Sequence, residues 1–348
     1  MTWMIYGAYG YTGRLTASLA AERGEMPLLA GRHEGPLRAL AEILQLEHRV
    51  VRLDDPAGLD RALQGVDAVA HCAGPFSDTA RPMVDACLHT GTHYLDITGE
   101  LDVIEEVLGR HGEARAAGVT LLPAAGFDVV PSDCLAALLA RELPGARSLA
   151  LAVRLDGGVS PGTAATALEA LGKPPRARVD GVLGPVPSHL RQCIAAFPDG
   201  EARVTALPLA DLATAPRSTG IGNVITYAPL PAVARPLYAL SAAAGPLVGN
   251  PLARRVTRSL ARRLPGPSAG TRTKTRAVMW GEVADGSGRT VQGTVSTPNG
   301  YDFTADAVIR IAAVLEKGAI APGAFTPAQA LGPDFLHQLD SVKIRVPL

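Results

Sequence analysis

An α/β fold, built as a doubly wound parallel sheet with a second, α+β domain, is what three features of this sequence predict. The chain opens on a strand, a glycine turn and a helix: apolar Trp3-Met4-Ile5-Tyr6, then Gly7-Ala8-Tyr9-Gly10-Tyr11-Thr12-Gly13, then Leu15, Leu19 and Ala20 at helical spacing through Arg23. Short apolar runs and helix-period segments then alternate without a break to Ala125, which requires right-handed crossovers and parallel strands. Beyond Pro144 the pattern changes to Pro- and Gly-rich stretches and hairpin signals.

Taken in order, strands are expected over 26–30, 49–54, 67–73, 93–97 and 119–125, with helices over 37–46, 56–63, 79–90 and 100–117 between them. Pro131-Ser132-Asp133 starts a helix that runs through Leu143. Leu149–Leu155 alternates as a strand, and 276–282 with 289–297 forms a hairpin across Asp285-Gly286-Ser287-Gly288. The stretches 174–199 and 208–216 are rich in Pro and Gly, and 301–317 is helical, with Ala305, Val308, Ile309, Ala312 and Leu315 on one face. The expected domains are 1–133, 134–299 for substrate and dimerisation, and 300–348 as a helix and tail returning to the first.

Hydrophobic content of 47% against 19% charged residues places the chain among globular proteins, and a net charge of zero argues against nucleic acid as a partner. The four cysteines are scattered without a C-x-x-C pair, no metal-ligand spacing appears, and no signal segment precedes the opening strand. Together these predict a cytoplasmic protein without a metal.

The glycine turn predicts a dinucleotide site. Gly7 permits the tight turn, Gly10 lets a pyrophosphate approach the backbone, and Gly13 lets the helix pack against the sheet. Tyr9, Tyr11, Thr12 and Arg14 line the same turn, and the helix N-terminus favours phosphate. The pattern is G-x-x-G-x-x-G, with Tyr9 where a glycine of G-x-G-x-x-G would stand. At the tip of the second strand Arg32 replaces the carboxylate that binds an unphosphorylated ribose, so NADP is expected. Asp54 either accepts from the adenine amine or caps the helix starting at Pro56. Ala73-Gly74-Pro75-Phe76 ends the fourth strand beside the switch point, where the nicotinamide ribose should pass, with Phe76 either walling the nicotinamide or belonging to the core.

Candidate proton donors for that crevice are Tyr94, Asp96, Glu100 and Asp128, at the C-terminal ends of the fifth and sixth strands, with a structural role as the alternative for each acid, such as Asp96 orienting backbone groups of the neighbouring loop. Glu100 and Asp133 stand in first helical turns, where carboxylates stabilise the dipole, and His71 reads as a satisfied core histidine. A last unusual segment, 218–264, is apolar and then basic, with Arg254, Arg255, Arg258, Arg262 and Arg263 around Leu252, Val256, Leu260 and Leu264. It reads as a peripheral membrane contact, a lid or a homodimer interface.

In chain order, Gly-x-x-Gly-Tyr-Thr-Gly-Arg at 7–14, Leu-Ala-Gly-Arg at 29–32, Ala-Gly-Pro-Phe at 73–76, the 86–100 stretch through His93-Tyr94-x-Asp96-x-Thr98-Gly99-Glu100, and Gly-Phe-Asp-x-Val-Pro-Ser-Asp at 126–133 resemble the saccharopine dehydrogenase-like oxidoreductases. The likeness resumes at Arg272, Tyr301-Asp302-Phe303-Thr304-Ala305 and Thr326-Pro327-Ala328. It implies a Rossmann domain, NADP and hydride transfer. Members of similar size include trans-acting enoyl reductases, which implies an activated C=C or C=N in a small hydrophobic or acyl-type, carrier-bound substrate. The rival expectation is a nucleotide-binding, lipid-surface protein without turnover.

Overall fold

The computed structural model describes residues 2–156, 175–230 and 266–347. It comprises two units: Met1–Val130 with Gly300–Asp340, and Pro131–Asn299 with Ser341–Leu348.

The first unit alternates strand and helix: β1 (Trp3–Tyr6), α1 (Tyr11–Glu22), β2 (Leu28–Gly31), α2 (Glu34–Leu44), β3 (His48–Val50), α3 (Pro56–Leu63), β4 (Ala68–His71), α4 (Phe76–Thr90), β5 (His93–Asp96), α5 (Leu101–Gly109), α6 (His111–Ala117) and β6 (Thr120–Leu122). Every residue of β1, β2 and β4 is buried, as expected of parallel strands covered on both faces. Several boundaries differ from the expectations: the third strand is His48–Val50 and not 49–54, the sixth is Thr120–Leu122 and not 119–125, and α2 and α4 begin three residues earlier than expected. The first helix begins at Tyr11, which brings Gly13 into its opening turn. The helix expected over 100–117 is two, because Arg110 (φ −87°, ψ 16°) leaves α geometry and its guanidinium binds Asp85 and Glu113. The cap of α3 is Asp55, whose carboxylate accepts from Gly58 N at 2.9 Å, and not Asp54.

The second unit holds α7 (Val130–Glu142), β7 (Ser148–Leu155), β8 (Arg176–Val179), β9 (Val182–Pro185), β10 (Gln192–Phe197), β11 (Gly200–Ala206), α8 (Asp211–Thr219), β12 (Asn223–Ala228), α9 (Ala269–Lys274), β13 (Ala277–Ala284) and β14 (Thr290–Thr297). The hairpin of β13 and β14 has the expected antiparallel register, Ala277 opposite Thr297. Segments that composition marked as Pro/Gly-rich carry strands and a helix. Pro216 lies inside α8, where it cannot donate to the Leu212 carbonyl four residues back; that carbonyl accepts from Arg178 Nε instead.

The chain ends with α10 (Gly300–Glu316), β15 (Gly323–Ala324), α11 (Pro327–Leu331) and β16 (Lys343–Arg345). Sheet order in the first unit is β15-β6-β5-β4-β1-β2-β3, all parallel, so the order reverses between β1 and β4. Among the described residues the second sheet has nine strands and is mixed. The tail expected to return whole to the first domain divides. Residues through Asp340 stay with the first unit, while β16 pairs antiparallel with β14, where its backbone extends that sheet's edge.

Asp306 of α10, 5% exposed, ties this return together: it binds Arg23 Nη1 (2.6 Å), Arg310 Nε (2.8 Å) and the Asp340 amide (2.9 Å). Asp306→Ala leaves the Asp340 amide without its acceptor and reduces the partners of the Arg23 and Arg310 guanidiniums to the exposed Asp340 carboxylate. It should lower the unfolding free energy by about 2–3 kcal/mol in a denaturant titration. A loss under about 0.5 kcal/mol would show that the network contributes no more than a surface pair.

No described helix is long and apolar enough to cross a membrane. The basic amphipathic stretch lies almost wholly in 231–265, outside the described residues.

Candidate cofactor-binding and catalytic site

The opening turn is shaped by missing side chains. Gly7 has φ +81°, and a Cβ there would stand 2.8 Å from Ala73 Cβ. Its absence lets the turn after β1 pack against the chain leaving β4, so Gly7 and Ala73 meet at the switch point. A Cβ on Gly13 would lie 2.4 Å from Gly7 O, so only glycine lets α1 begin this close to the turn. Gly10 N donates to Gly7 O at 2.9 Å, and a Cβ on Gly10 would meet that oxygen at 3.1 Å. No side chain caps α1 and no carboxylate stands in its first turn, which leaves the positive end of the helix dipole facing the approach to Gly10. The cradle fits a diphosphate.

Tyr9 takes an unforeseen role. A Cβ on Gly31 would stand 2.6 Å from the Tyr9 ring, so the ring covers the end of β2, with His33 at 6.2 Å between centroids. Tyr11 packs edge-on to Tyr301 at 4.9 Å, and Thr12 O accepts from Thr16 Oγ1. Arg14 and Arg32 are both exposed, and neither forms an ion pair among the described residues. Asp54 is forked by Arg52 (2.8 and 2.6 Å), whose guanidinium holds the Asp54 carboxyl below the usual carboxylate range.

At the switch point Gly74 and Pro75 lead into α4. The Phe76 ring is buried edge-on to His71 at 5.5 Å, which puts it in the core. Glu100 seals the start of α4, accepting from Phe76 N at 2.8 Å and Ser77 N at 2.9 Å; its carboxylate stabilises a neighbouring helix, not α5. Asp133, in the first turn of α7, accepts from Ser218 Oγ at 2.6 Å.

His71 lies among the rings of Tyr6, Phe76 and Tyr94, fully buried, with neither ring nitrogen hydrogen-bonded. The expectation of a satisfied histidine therefore fails: the side chain that fills the cage carries two nitrogens and is surrounded by aromatic rings, with no hydrogen-bond partner for either nitrogen. Burial pulls the imidazole down from 6.5 to about 3. The unfolded chain thus takes up a proton that the folded one refuses, and this contribution to stability is lost as pH falls from 6.5 towards 3. The unfolding free energy of wild type relative to His71→Leu should fall by about 1.4 kcal/mol per pH unit across that window. Parallel profiles for the two proteins would contradict a neutral caged imidazole.

Among the candidate acids, Tyr94 and Asp96 come together in the core. Tyr94 Oη donates to Asp96 Oδ2 at 2.6 Å, and Asp96 Oδ1 accepts from Thr98 N (2.9 Å) and Ala124 N (2.8 Å). Both side chains are 0% exposed. Burial raises Asp96 to about 6 against the pull of these bonds, and raises Tyr94 well above its ordinary value. The pair pins the loops after β5 and β6 together.

Asp128 differs. Its side chain reaches solvent, and no hydrogen bond or ion pair to its carboxylate is recorded among the described residues. It leans over Gly99, where a Cβ would stand 2.7 Å from Asp128 Oδ2. Crowding by surrounding protein raises its carboxyl to about 6. The loop that carries it is fastened by Thr304, whose Oγ1 accepts from Phe127 N (3.0 Å) and donates to Gly300 O (2.7 Å). Sequence reading missed Thr304 as a fastening; its one signal was membership in the Tyr301–Ala305 stretch of the resemblance.

No cluster of metal-ligating side chains occurs among the described residues. The profile of the saccharopine dehydrogenase NADP binding domain matches residues 3–122. The trans-acting enoyl reductase of Mycobacterium leprae is 35% identical over 138 residues, 37% of this chain and 33% of that protein. Its counterpart in Mycobacterium tuberculosis is 33% identical over the same length and shares. The match thus spans about a third of the length of these curated relatives. Apo saccharopine dehydrogenase (L-Glu forming) from Saccharomyces cerevisiae shares the fold over 100% of both chains, with TM-score 0.65 and 14% identity. Homospermidine synthase from Legionella pneumophila, in complex with NAD, does so over 99% of this chain and 91% of that one, with TM-score 0.63 and 11% identity. The strand order and the glycine cradle are those of a dinucleotide-binding fold, and residues 3–122 match the saccharopine dehydrogenase NADP binding domain, which supports NADP as the cofactor.

Proposed function

We propose that the protein is an NADPH-dependent reductase acting on an activated C=C of a hydrophobic, acyl-type, carrier-bound substrate. The observation that carries the chemistry is Asp128: a solvent-reaching carboxyl without a partner among the described residues, raised to about 6, at the C-terminal end of the parallel sheet that matches an NADP-binding domain. The names of the relatives support C=C over C=N. The cofactor supplies a hydride when bound. The turn around Gly10 and the start of α1 would hold its diphosphate, Arg14 and Arg32 would add positive charge, and Ala73-Gly74-Pro75 at the switch point would border its nicotinamide half.

Hydride addition at the β-carbon of an enoyl group would place the C=C pair on the α-carbon. Asp128 would give its proton to that carbon, completing the saturated acyl group, and its carboxylate would regain a proton from solvent. Tyr94 and Asp96 are positioning residues: they fix the loops on which Gly99 and Asp128 stand.

The test is loss of NADPH absorbance with an α,β-unsaturated acyl thioester and, separately, a cyclic imine. Turnover of the thioester alone is the expected result. Turnover of the imine alone would move the substrate to C=N. Stoichiometric NADPH binding without consumption of either would favour a nucleotide-binding protein without turnover.

A further inference from the structure

Arg52 stands next to the expected ribose-phosphate subsite, yet it is spent on a surface ion pair. Val51 N donates to Gly31 O at 3.0 Å, continuing the β2–β3 ladder, so Arg32 and Arg52 each follow one partner of this last rung. Adjacent strands lie about 4.8 Å apart, which brings the two arginines to one edge of the sheet. The Tyr6 phenol, donating to Val51 O at 3.1 Å, feels both guanidiniums. Arg52 and Asp54 are 64% and 67% exposed, so water screens their fork and opening it costs little. A phosphomonoester carries nearly twice the charge of a carboxylate and has three acceptor oxygens.

We propose that Arg52 is a second arm for the 2′-phosphate of NADP, held by Asp54 in the free protein and handed to the phosphate on binding. Asp54 is then a competitor for Arg52 and not an acceptor for the adenine amine. The inference rests on the reading that the tip of β2 receives the 2′-phosphate. NADH gives Arg52 nothing in exchange for Asp54, so the handover separates the two coenzymes.

The experiment is calorimetric titration of the full chain with NADPH and with NADH, for wild type, Arg52→Gln, Asp54→Asn and Arg32→Gln. All three side chains are exposed, so the melting temperatures should match and report folding directly. Arg52→Gln should weaken NADPH by about tenfold or more and NADH by less than about twofold, because one charge-assisted contact is lost only with the phosphate. Asp54→Asn should tighten NADPH. An unchanged NADPH-to-NADH ratio in Arg52→Gln, with a reduced ratio in Arg32→Gln, overturns the proposal and leaves the underlying reading intact. Unchanged ratios in both variants overturn the two together. Equal weakening of both coenzymes by Asp54→Asn returns Asp54 to the adenine and also overturns it.

Discussion

Asp128→Asn should lower NADPH-dependent turnover by about 10²–10⁴-fold while NADPH affinity stays at the wild-type value. The amide keeps the shape of the side chain over Gly99 and cannot release a proton. Because crowding by surrounding protein raises the acid to about 6, the proton is in place below that pH and is lost above it. Wild-type single-turnover rates should therefore fall as pH rises through about 6, and that limb should vanish in Asp128→Asn. Asp128→Glu should restore part of the rate. If Asp128→Asn turned over at the wild-type rate, the proton would come from elsewhere. The neighbouring Asp96 is a poor substitute, since both of its oxygens are engaged and neither reaches solvent.

Gly10→Val should weaken NADPH by about a hundredfold or more, the equivalent of two lost charge-assisted hydrogen bonds. The first atom of the new side chain meets Gly7 O at 3.1 Å, which a small adjustment of the turn absorbs. Its two methyl groups then occupy the approach of the diphosphate. Near-UV circular dichroism and the melting temperature should stay close to wild type. Gly13→Ala provides the contrast. Its Cβ would stand 2.4 Å from Gly7 O, so the turn itself must open, and both binding and stability should fall. If Gly10→Val bound NADPH normally, the diphosphate would not lie against this turn.

The parallel domain was legible because its signals are local and periodic. Buried strands such as Ala68–His71 are continuous apolar runs bounded by turns, and the glycines at 7, 10 and 13 have steric reasons visible at once in the backbone. What resisted reading depends on geometry one residue finer, or on distant partners. Asp54 and Asp55 are chemically identical neighbours, and only the backbone at Asp55 turns its carboxylate back to Gly58 N. Pro216 marks a break in sequence, yet α8 survives because Arg178, 38 positions earlier, takes the freed carbonyl. Tyr94 and Asp96 carry the right chemistry for proton transfer, and nothing in their order reveals that they spend it on each other. The fastening of the Asp128 loop by Thr304 spans 177 positions, beyond any local pattern.

The central claim is that the turn after β1 cradles the diphosphate of NADP and that arginine beyond β2 prefers the phosphorylated coenzyme. Calorimetric titration of the folded protein with NADPH and NADH tests it most directly. One site per chain, with NADPH bound more tightly than NADH, is the predicted result. Absence of heat with either nucleotide, from protein shown to be folded, would contradict it.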